Sequence, residues 1–446
     1  MAEMKLGLFI RPCGHHIASW RHPNAHDDAN VNFDRFIQMA KTAERGLFDM
    51  LFSADTNSAW TTVDSALNRQ HYAAWIEPYT LLTALAAHTS RIGLVCTKST
   101  SFDAPYTVAR MFASLDLISG GRSGVNIVTT GNPRAALNYS QEKHLAKSDR
   151  YEIADEFVDV LIGLWDSWSQ DAFIRHKESS TYFEWDGMHV LNHKGKHFQV
   201  EGPLNVPPSP QGRPLIVQAG SSEKGRELAA KSADVIFVAS QDFEMAREFC
   251  SDIKARAARY GRQPGDIKVL PGLTVTVAET QEEAQAKFDE MQELIHPELG
   301  LAYLSRRIGH DLTQMDPDIP MPDIDAVDDV GTRSGQMIEL AKRENWTLRQ
   351  LYQHFSATRG HMVLVGTPTT VADAMQEWFE NGACDGFNVL PSLFPDEFES
   401  FVDLVVPELQ RRGLFRTAYE GNTLRDLLEV PEPSSRFNAG GIQAAE

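Results

Sequence analysis

The chain has few cysteines, no long apolar run and a shortage of positive charge. Its four cysteines lie far apart and form no Cys-x-x-Cys pair, so neither a zinc ribbon nor a disulfide framework is indicated and a cytoplasmic location is expected. No stretch approaches membrane-spanning length, and the N-terminus enters a predicted strand without the apolar run of a signal peptide. We therefore expect neither export nor a membrane anchor.

The excess of acidic residues limits the classes of partner. Lysine and arginine number 42 against 61 aspartates and glutamates, which gives a formal net charge of −19. Such a charge argues against nucleic acid or an anionic membrane surface as the main partner. A Gly-x-Gly-x-x-Gly fingerprint between a strand and a helix is also missing, so the sequence gives no sign of a dinucleotide-binding fold.

Short β-type runs alternate with amphipathic helical runs, a pattern that predicts right-handed βαβ units and a parallel sheet. Eight strands are predicted, which is the number that a closed (β/α)8 TIM barrel of the α/β class needs. The predicted strands are Lys5–Ile10, Asp49–Ser53, Arg91–Cys96, Ser123–Val128, Pro214–Gln218, Asp234–Val238, Ile267–Val277 and Asp385–Leu390. The helical patterns between them include Phe33–Arg45, Pro105–Gly121, Tyr151–Trp165, Glu223–Lys231, Glu244–Tyr260 and Thr370–Glu380.

Two stretches are too long to be simple connections, and we interpret them as insertions at the C-terminal face of one domain over residues 1–434. They cover about 166–212 and about 296–361. The first contains the strand-like run His197–Val200 and is predicted to form a flap or an extra hairpin. Residues 435–446 are predicted to be a C-terminal tail.

The chemistry of a parallel barrel lies at the C-terminal ends of its strands, and polar residues collect there in this chain. The segment Arg122–Asn132 (RSGVNIVTTGN) ends an apolar strand in small polar residues. The turn containing Ser221 and Ser222 precedes a helix and offers backbone N–H groups, hydroxyls and the positive end of a helix dipole, which suits a phosphate. Further polar residues in or after the first four strands are His15, His16, Asp55, Thr100 and Asn126.

Each candidate also has a purely structural interpretation. The two serines could be helix N-caps, Asp55 could cap a turn, and Asn126 could satisfy buried backbone groups. Adjacent histidines are more often structural or surface residues than catalytic ones. Four basic residues could neutralise an anionic substrate or could be surface charges: Arg11, Arg21, Lys98 and Arg359.

The adjacent histidines raise the alternative of a barrel metallohydrolase. Such enzymes need His-x-His spacing and further His and Asp ligands at later strand ends. Here His15 and His16 are adjacent, and the later ends carry Thr, Asn and Ser. No metal site is therefore predicted.

Several ordered blocks resemble the bacterial-luciferase-like flavin monooxygenases. They are LGLFIRPCGHHIASWRHP, AERGLFDMLFSAD, STSFDAPYTVARMFASLDLISGGRSGVNIVTT, FVDVLIGLWDSW, GPLNVPPSPQGRPLIVQAGSS and VVPELQRRGLF. The resemblance extends from about Lys5 to Leu428 and is strongest to the branch of nitrilotriacetate monooxygenase, pristinamycin synthase and dibenzothiophene sulfone monooxygenase.

The resemblance implies an FMNH2-dependent monooxygenase of a two-component system. On that interpretation, a separate NAD(P)H:flavin reductase supplies reduced FMN, and O2 oxygenates a small organic substrate with cleavage of a C–N or C–S bond. The assembly would be a homodimer or homotetramer. The alternative within such systems is a flavin-binding partner subunit without its own activity.

The resemblance also implies roles for individual residues. Asp55, Thr100 and Asn126 would contact the flavin, Tyr151 begins the fourth helix, and Ser221 with Ser222 would hold the phosphate. Relatives often carry a His four residues before that Tyr, where this chain has Lys147, so either the nearby His144 or Lys147 would make the contact. As catalytic groups that stabilise charge or set protonation, we expect His15, His16 and Asn126.

Overall fold

The computed structural model describes residues 3–60, 64–324 and 332–437. The strands are β1 (Lys5–Phe9), β2 (Met50–Ser53), β3 (Gly93–Ser99), β4 (Ser123–Val128), β5 (His193–Lys194), β6 (Gln199–Val200), β7 (Leu215–Ala219), β8 (Val235–Val238), β9 (Lys268–Val277), β10 (Met362–Gly366) and β11 (Gly386–Val389). The helices are α1 (Phe33–Arg45), α2 (Pro78–Ala86), α3 (Pro105–Ser119), α4 (Lys147–Trp165), α5 (Glu223–Ser232), α6 (Phe243–Ala258), α7 (Gln281–Glu293), α8 (Pro297–Ile308), α9 (Thr332–Arg343), α10 (Leu348–Thr358), α11 (Pro368–Glu380), α12 (Asp396–Ser400), α13 (Val406–Arg411) and α14 (Leu424–Leu428).

Eight parallel strands close into a ring in the order β1-β2-β3-β4-β7-β8-β9-β11, and β11 pairs back onto β1. The predicted TIM barrel is confirmed, and every predicted barrel strand is present. One strand was not predicted: β10 pairs with the second half of β9, from Met362 opposite Leu273 to Gly366 opposite Val277. It lies outside the ring and extends the sheet beyond the barrel wall.

Side chains along each strand point alternately toward the surrounding helices and toward the barrel axis, and this alternation produces two apolar cores. On β3 and β4, Leu94, Cys96, Val125 and Ile127 face the surrounding helices, where they join the large core between strands and helices. The intervening residues face the barrel axis. The lower part of the interior is filled by apolar side chains, and α14 covers it from below: Met50, Val95, Leu215, Val217, Val235, Leu270, Leu424 and Leu428.

Both long insertions have structure of their own. In the first, β5 and β6 form the expected hairpin, with His193 opposite Val200. In the second, α8 and α10 pack together around a separate apolar cluster that includes Leu304, Ile308 and Leu351. Ile17 from the loop after β1 belongs to the same cluster. The second insertion is therefore packed directly against a loop at the barrel mouth.

The predicted tail at 435–446 lies mostly outside the described residues. Its first residues contact the barrel: the backbone N–H of Arg436 donates to Asp166 Oδ2 at 3.0 Å, and Phe437 stacks on His189 with ring centroids 4.4 Å apart. Of the helices within residues 3–60, 64–324 and 332–437, none combines the length and the apolar character needed to cross a membrane.

A buried ion pair ties the bottom of the barrel to the C-terminal segment. Asp49, at the start of β2, is fully buried and accepts hydrogen bonds from the Leu6 N–H at 2.6 Å and from Arg416 at 2.5 Å. Arg416 also donates to the Leu427 carbonyl at 2.8 Å. One carboxylate therefore joins β1, β2 and the segment that closes the barrel from below.

We expect Asp49→Ala to lower the free energy of unfolding by about 3–5 kcal/mol, because it leaves the Arg416 charge buried without its partner. The measurement is the midpoint of urea unfolding. Asp403→Ala is the matched control, because Asp403 forms an exposed ion pair with Arg45 whose loss should cost less than about 1 kcal/mol. Equal destabilisation by the two variants would contradict the assigned importance of the buried pair.

Candidate active site

A cavity of about 370 Å³ opens at the C-terminal ends of β1, β2, β3, β4, β7 and β8. Its apolar part is an aromatic cluster, in which Phe9 lies edge-on to Phe52 at 4.9 Å and to Phe237 at 5.7 Å. The polar part of the lining is Asp55, Thr56, Thr97, Asn126, Thr129, Thr130 and Asn132. We call this space the mouth cavity. An aromatic floor beside a polar wall suits a flat ring system with hydrogen-bonding edges.

Asn126 lines this cavity and carries a buried acceptor atom without a partner among the described residues. Thr97 lies beside it in the β3–β4 register and donates its hydroxyl proton to the Ser53 carbonyl at 3.2 Å. That hydroxyl must therefore accept from Asn126 Nδ2, which lies 2.8 Å away. This arrangement fixes the amide orientation and leaves the buried Oδ1 without a partner among the described residues. A buried acceptor of this kind favours a ligand that donates an N–H or O–H.

Asp55 also lines the mouth cavity, directly after β2. Its Oδ1 accepts from the Thr56 N–H at 2.7 Å, so the turn-capping interpretation holds and leaves the second carboxylate oxygen for a ligand. Burial raises the pKa of Asp55, although the nearby Lys98 acts in the opposite direction. The ammonium of Lys98 is itself paired with Glu77 at 3.1 Å.

The loop after β4 is held in an unfavourable backbone conformation. Thr130 has a φ of 39°, which is rare for a β-branched residue. Three contacts fix it: its hydroxyl donates to Ser99 Oγ at 2.6 Å, and its carbonyl accepts from His144 Nε2 at 2.7 Å and from Arg150. Strained residues of this kind persist only where their surroundings determine them, and here the strain lies in the cavity wall.

These contacts distinguish His144 from Lys147, the two residues that could replace the histidine that relatives carry four positions before the equivalent of Tyr151. His144 reaches Thr130 at the mouth cavity, whereas Lys147 is the exposed first residue of α4. Arg150 was not among the sequence candidates, although it lies directly before Tyr151 in the first turn of α4. Its guanidinium donates to the carbonyls of Thr129 and Thr130, and its buried Nε has no partner in the described part of the chain.

The N-cap interpretation of the serine turn holds for Ser222, and its phosphate-binding interpretation stays a prediction. Ser222 caps α5 by accepting from the Gly225 N–H at 3.3 Å, and its hydroxyl donates to the Tyr151 hydroxyl at 2.8 Å. Ser221 is exposed at the same turn. It follows Gly220 and Ala219, and Ala219 lines the mouth cavity. The structure thus brings Tyr151, Ser221 and Ser222 together beside the mouth cavity, at the N-terminus of a helix.

Thr100 lies behind the wall of the mouth cavity. Its backbone N–H and its hydroxyl both donate to the Val128 carbonyl, at 2.9 and 3.3 Å, and its side chain is buried. Val128 lines the cavity, so Thr100 supports a lining residue in this structure. Its direct contact with flavin stays a prediction.

His15 and His16 line a narrow neighbouring pocket together with Thr274, Thr276 and Gln292. The His15 ring packs edge-on against Phe9 at 4.4 Å, on the far side of the aromatic floor. Because the Phe9 carbonyl can only accept, His15 Nε2 donates to it at 2.8 Å. Burial is the main cause that lowers the pKa of His15 well below its usual value and that of His16 to about 4. Both imidazoles are therefore neutral near pH 7.

Across residues 3–60, 64–324 and 332–437, no group of three His, Cys, Asp or Glu side chains lies close enough together to hold a metal ion. The adjacent histidines instead use their ring nitrogens internally, because His16 Nδ1 accepts from the Ala18 N–H at 3.2 Å. The arrangement gives the metallohydrolase alternative no support.

Residues 13–385 match the family of luciferase-like monooxygenases. The chain belongs to the luciferase-like monooxygenase family. It is 50% identical over 438 residues to N-acetyl-S-(2-succino)cysteine monooxygenase of Bacillus subtilis (strain 168), with 98% of each chain covered. It is 45% identical over 443 residues to nitrilotriacetate monooxygenase component A of Aminobacter aminovorans, covering 97% of this chain and 98% of that one.

Solved structures of the family have the same architecture. The crystal structure of DmoA from Hyphomicrobium sulfonivorans is similar with a TM-score of 0.87 at 33% identity, covering 96% of this chain and 92% of that one. The resemblance stated from the sequence motifs is thereby confirmed, together with its branch. This luciferase-like monooxygenase is a flavin-dependent enzyme, and the mouth cavity is its candidate flavin site.

The neutral state of His16 predicts a pH dependence of stability. Its pKa is lowered from 6.5 to about 4 by folding, so unfolding takes up a proton as the pH falls through 6.5. The stability present above pH 6.5 is therefore lost toward pH 4, and this group accounts for about 2 kcal/mol between pH 7 and pH 5. Between pH 7 and pH 5, the free energy of unfolding of His16→Gln should therefore fall by about 2 kcal/mol less than that of the wild type, measured by urea unfolding. His88→Gln, at an exposed position, is the matched control, and equal effects of both variants would contradict the prediction.

Proposed function

We propose that this chain is the oxygenase component of a two-component system. It receives reduced FMN from a separate NAD(P)H:flavin reductase and uses O2 to hydroxylate a carbon next to nitrogen or sulfur. The observation that carries the proposal is the mouth cavity. Its lining contains an aromatic floor and Asn126 with an unpartnered buried acceptor, and a helix-capping serine turn lies beside it. We further propose a cytoplasmic location and a homodimer or homotetramer.

The residues present fit a flavin mononucleotide. Asn126 Oδ1 can accept from a ring N–H, and a reduced ring carries more N–H groups than an oxidised one. The turn at Ser221 and Ser222 offers hydroxyls and backbone N–H groups for the phosphate, and it leaves room for a ligand because a Cβ built at Gly220 would meet only the Tyr151 hydroxyl, at 3.7 Å. Arg150 adds a cation beside Thr129 and Thr130.

Reduced flavin, when bound, supplies the two electrons that activate O2. The protein must then exclude water, because water promotes loss of hydrogen peroxide before the substrate reacts. Phe9, Phe52 and Phe237 provide an apolar floor for this purpose. His144 and Arg150 fix the carbonyl of Thr130, so the opposite wall keeps its shape.

The names of the relatives indicate what the hydroxylation does. N-acetyl-S-(2-succino)cysteine contains a carbon bonded to sulfur, and nitrilotriacetate contains carbons bonded to nitrogen. One oxygen atom of O2 enters the C–H bond next to the heteroatom, and the other leaves as water with the two flavin electrons. The resulting α-hydroxy thioether or amine breaks its C–S or C–N bond to give a carbonyl compound and a thiol or amine.

The proposal is tested by incubating the purified chain with a flavin reductase, NADH, FMN and each of these two compounds. We expect oxygen consumption coupled to substrate loss, with a carbonyl product and one ¹⁸O atom from ¹⁸O2 in the initial product. Hydrogen peroxide release that does not depend on the substrate, with every compound intact, would refute oxygenase activity on them. Complete inactivity despite tight flavin binding would instead favour the non-catalytic partner subunit.

The acceptor at Asn126 gives a second prediction. Asn126→Ala should weaken binding of reduced FMN about 10-fold, because one hydrogen bond in a buried site is lost. The affinity of the variant for oxidised FMN should fall by a smaller factor, since oxidised FMN carries fewer ring N–H groups. Anaerobic fluorescence titration measures both affinities. Asn381→Ala, at the exposed end of α11, is the matched control. Equal losses for the two redox states would contradict the role assigned to Oδ1.

A further inference from the structure

Two arginines from distant parts of the chain lie against the same ring, that of Tyr72. Arg11 follows β1, and Arg359 lies at the end of α10 in the second insertion. Their guanidinium carbons lie 5.1 and 5.4 Å from the ring centroid of Tyr72. Arg11 also lies 5.5 Å from the ring of Phe9, which lines the mouth cavity. We call Arg11 and Arg359 the arginine pair.

The arginine pair has no carboxylate partner in the described part of the chain. Arg359 donates to the His15 carbonyl at 2.9 Å, and the Nε of Arg11 is buried without a partner there. Burial and the charge of Arg359 lower the pKa of Arg11 to about 10, and only the phenol of Tyr72 raises it. Both side chains are half-buried, so each keeps a face that solvent can reach.

The surrounding imidazoles do not offset the two charges. Burial and the nearby arginines lower the pKa of His15 well below its usual value and that of His71 to about 3. Both rings are therefore neutral and add no negative charge. About two positive charges are thus held beside the ring of Tyr72 without a carboxylate counter-charge from the described residues, which is unfavourable for folding.

Other buried arginines of this protein are compensated. Arg416 and Arg425 form ion pairs with Asp49 and Asp234, at 2.5 and 3.1 Å. Arg122 lacks such a partner, but its guanidinium donates to carbonyls of the backbone, including those of Ile92 and Ala86. Burial acts to lower the pKa of Arg359, but the phenols of Tyr72 and Tyr303 outweigh it and raise that pKa, so Arg359 is partly compensated. Neither member of the arginine pair has a carboxylate partner in the described part of the chain.

The remaining basic candidates from the sequence are already engaged elsewhere. Lys98 is paired with Glu77, and Arg21 is exposed and donates to the Leu294 carbonyl. Of the four basic residues that could neutralise an anionic substrate, Arg11 and Arg359 are thus the two whose surroundings suit that role. Planar guanidinium groups match the geometry of a carboxylate, to which each can donate two hydrogen bonds.

We propose that the arginine pair is a carboxylate-binding subsite, so that the substrate of this oxygenase is an organic anion with one or more carboxylates. The inference rests on the proposed function, because it makes the pair the substrate side of the flavin site. Phe9 connects the arginine pair with the flavin site, because it lines the mouth cavity and its ring also lies beside Arg11. A bound carboxylate would therefore place the remainder of the substrate beside the aromatic floor.

Direct binding tests the subsite without turnover. The probes are nitrilotriacetate and N-acetyl-S-(2-succino)cysteine, each compared with its uncharged methyl ester by calorimetry on the full chain. We expect the acids to bind the wild-type protein at least about 10-fold more tightly than the esters. Equal affinities of acid and ester would overturn the proposal.

Three variants localise the effect. Arg11→Gln and Arg359→Gln should each weaken binding of the acids about 100-fold, and Arg359→Lys, which keeps the charge, about 10-fold. The control Arg247→Gln, at an exposed position on α6, should change binding less than about twofold. The ratio of acid to ester affinity is measured within each variant, so a general loss of structure does not imitate the effect. An unchanged ratio in both glutamine variants would overturn the proposal.

The two proposals fail in different ways. If the arginine pair binds carboxylates but the oxygenase proposal is wrong, the acids bind with the expected discrimination and no product forms with the reductase, NADH and FMN. If the oxygenase proposal is right and the subsite is wrong, product forms while both glutamine variants keep the wild-type ratio of acid to ester affinity. Binding of reduced FMN should remain within about twofold of wild type in both glutamine variants.

Discussion

The closure of the barrel between β1 and β11 is the constraint on which the rest of the molecule depends. At this seam Lys5 lies opposite Gly386, whose φ is 151° and whose Cβ, if present, would come within 1.9 Å of the Lys5 carbonyl oxygen. Only glycine fits such an approach. Closure then fixes where the strands end, and the strand ends determine which side chains share the mouth cavity.

Closure also explains why much of the site could be predicted from the sequence. Inward and outward residues alternate on each strand, and Asn126 lies between Val125 and Ile127, which face the helices, so it faces the barrel axis near the strand end that the sequence indicated. Ser222 was predictable because a serine before a helix has a defined capping geometry. These predictions needed only local pattern and the position of the strand end.

The remaining features depend on contacts between distant segments, which no local pattern reports. The strained backbone of Thr130 is held by Ser99 from β3, by His144 from the loop before α4 and by Arg150 from the first turn of α4. The same applies to Arg359, which reaches Tyr72 and the His15 carbonyl only because the second insertion packs on the mouth loops. Sequence alone left it open whether this arginine was a surface charge.

The aromatic floor lies between two regions whose chemical requirements are opposed. Oxygen chemistry on a reduced flavin needs a dry pocket, whereas a carboxylate needs cations and hydrogen-bond donors. Phe9 divides these environments, with the mouth cavity on one side and Arg11 and His15 against its ring. Because His15 is neutral, the positive charge beside Phe9 is concentrated on the arginine pair. An anionic substrate would neutralise that charge on binding, so the unfavourable free energy of holding two cations together would be relieved only when the pocket contains the molecule to be oxygenated.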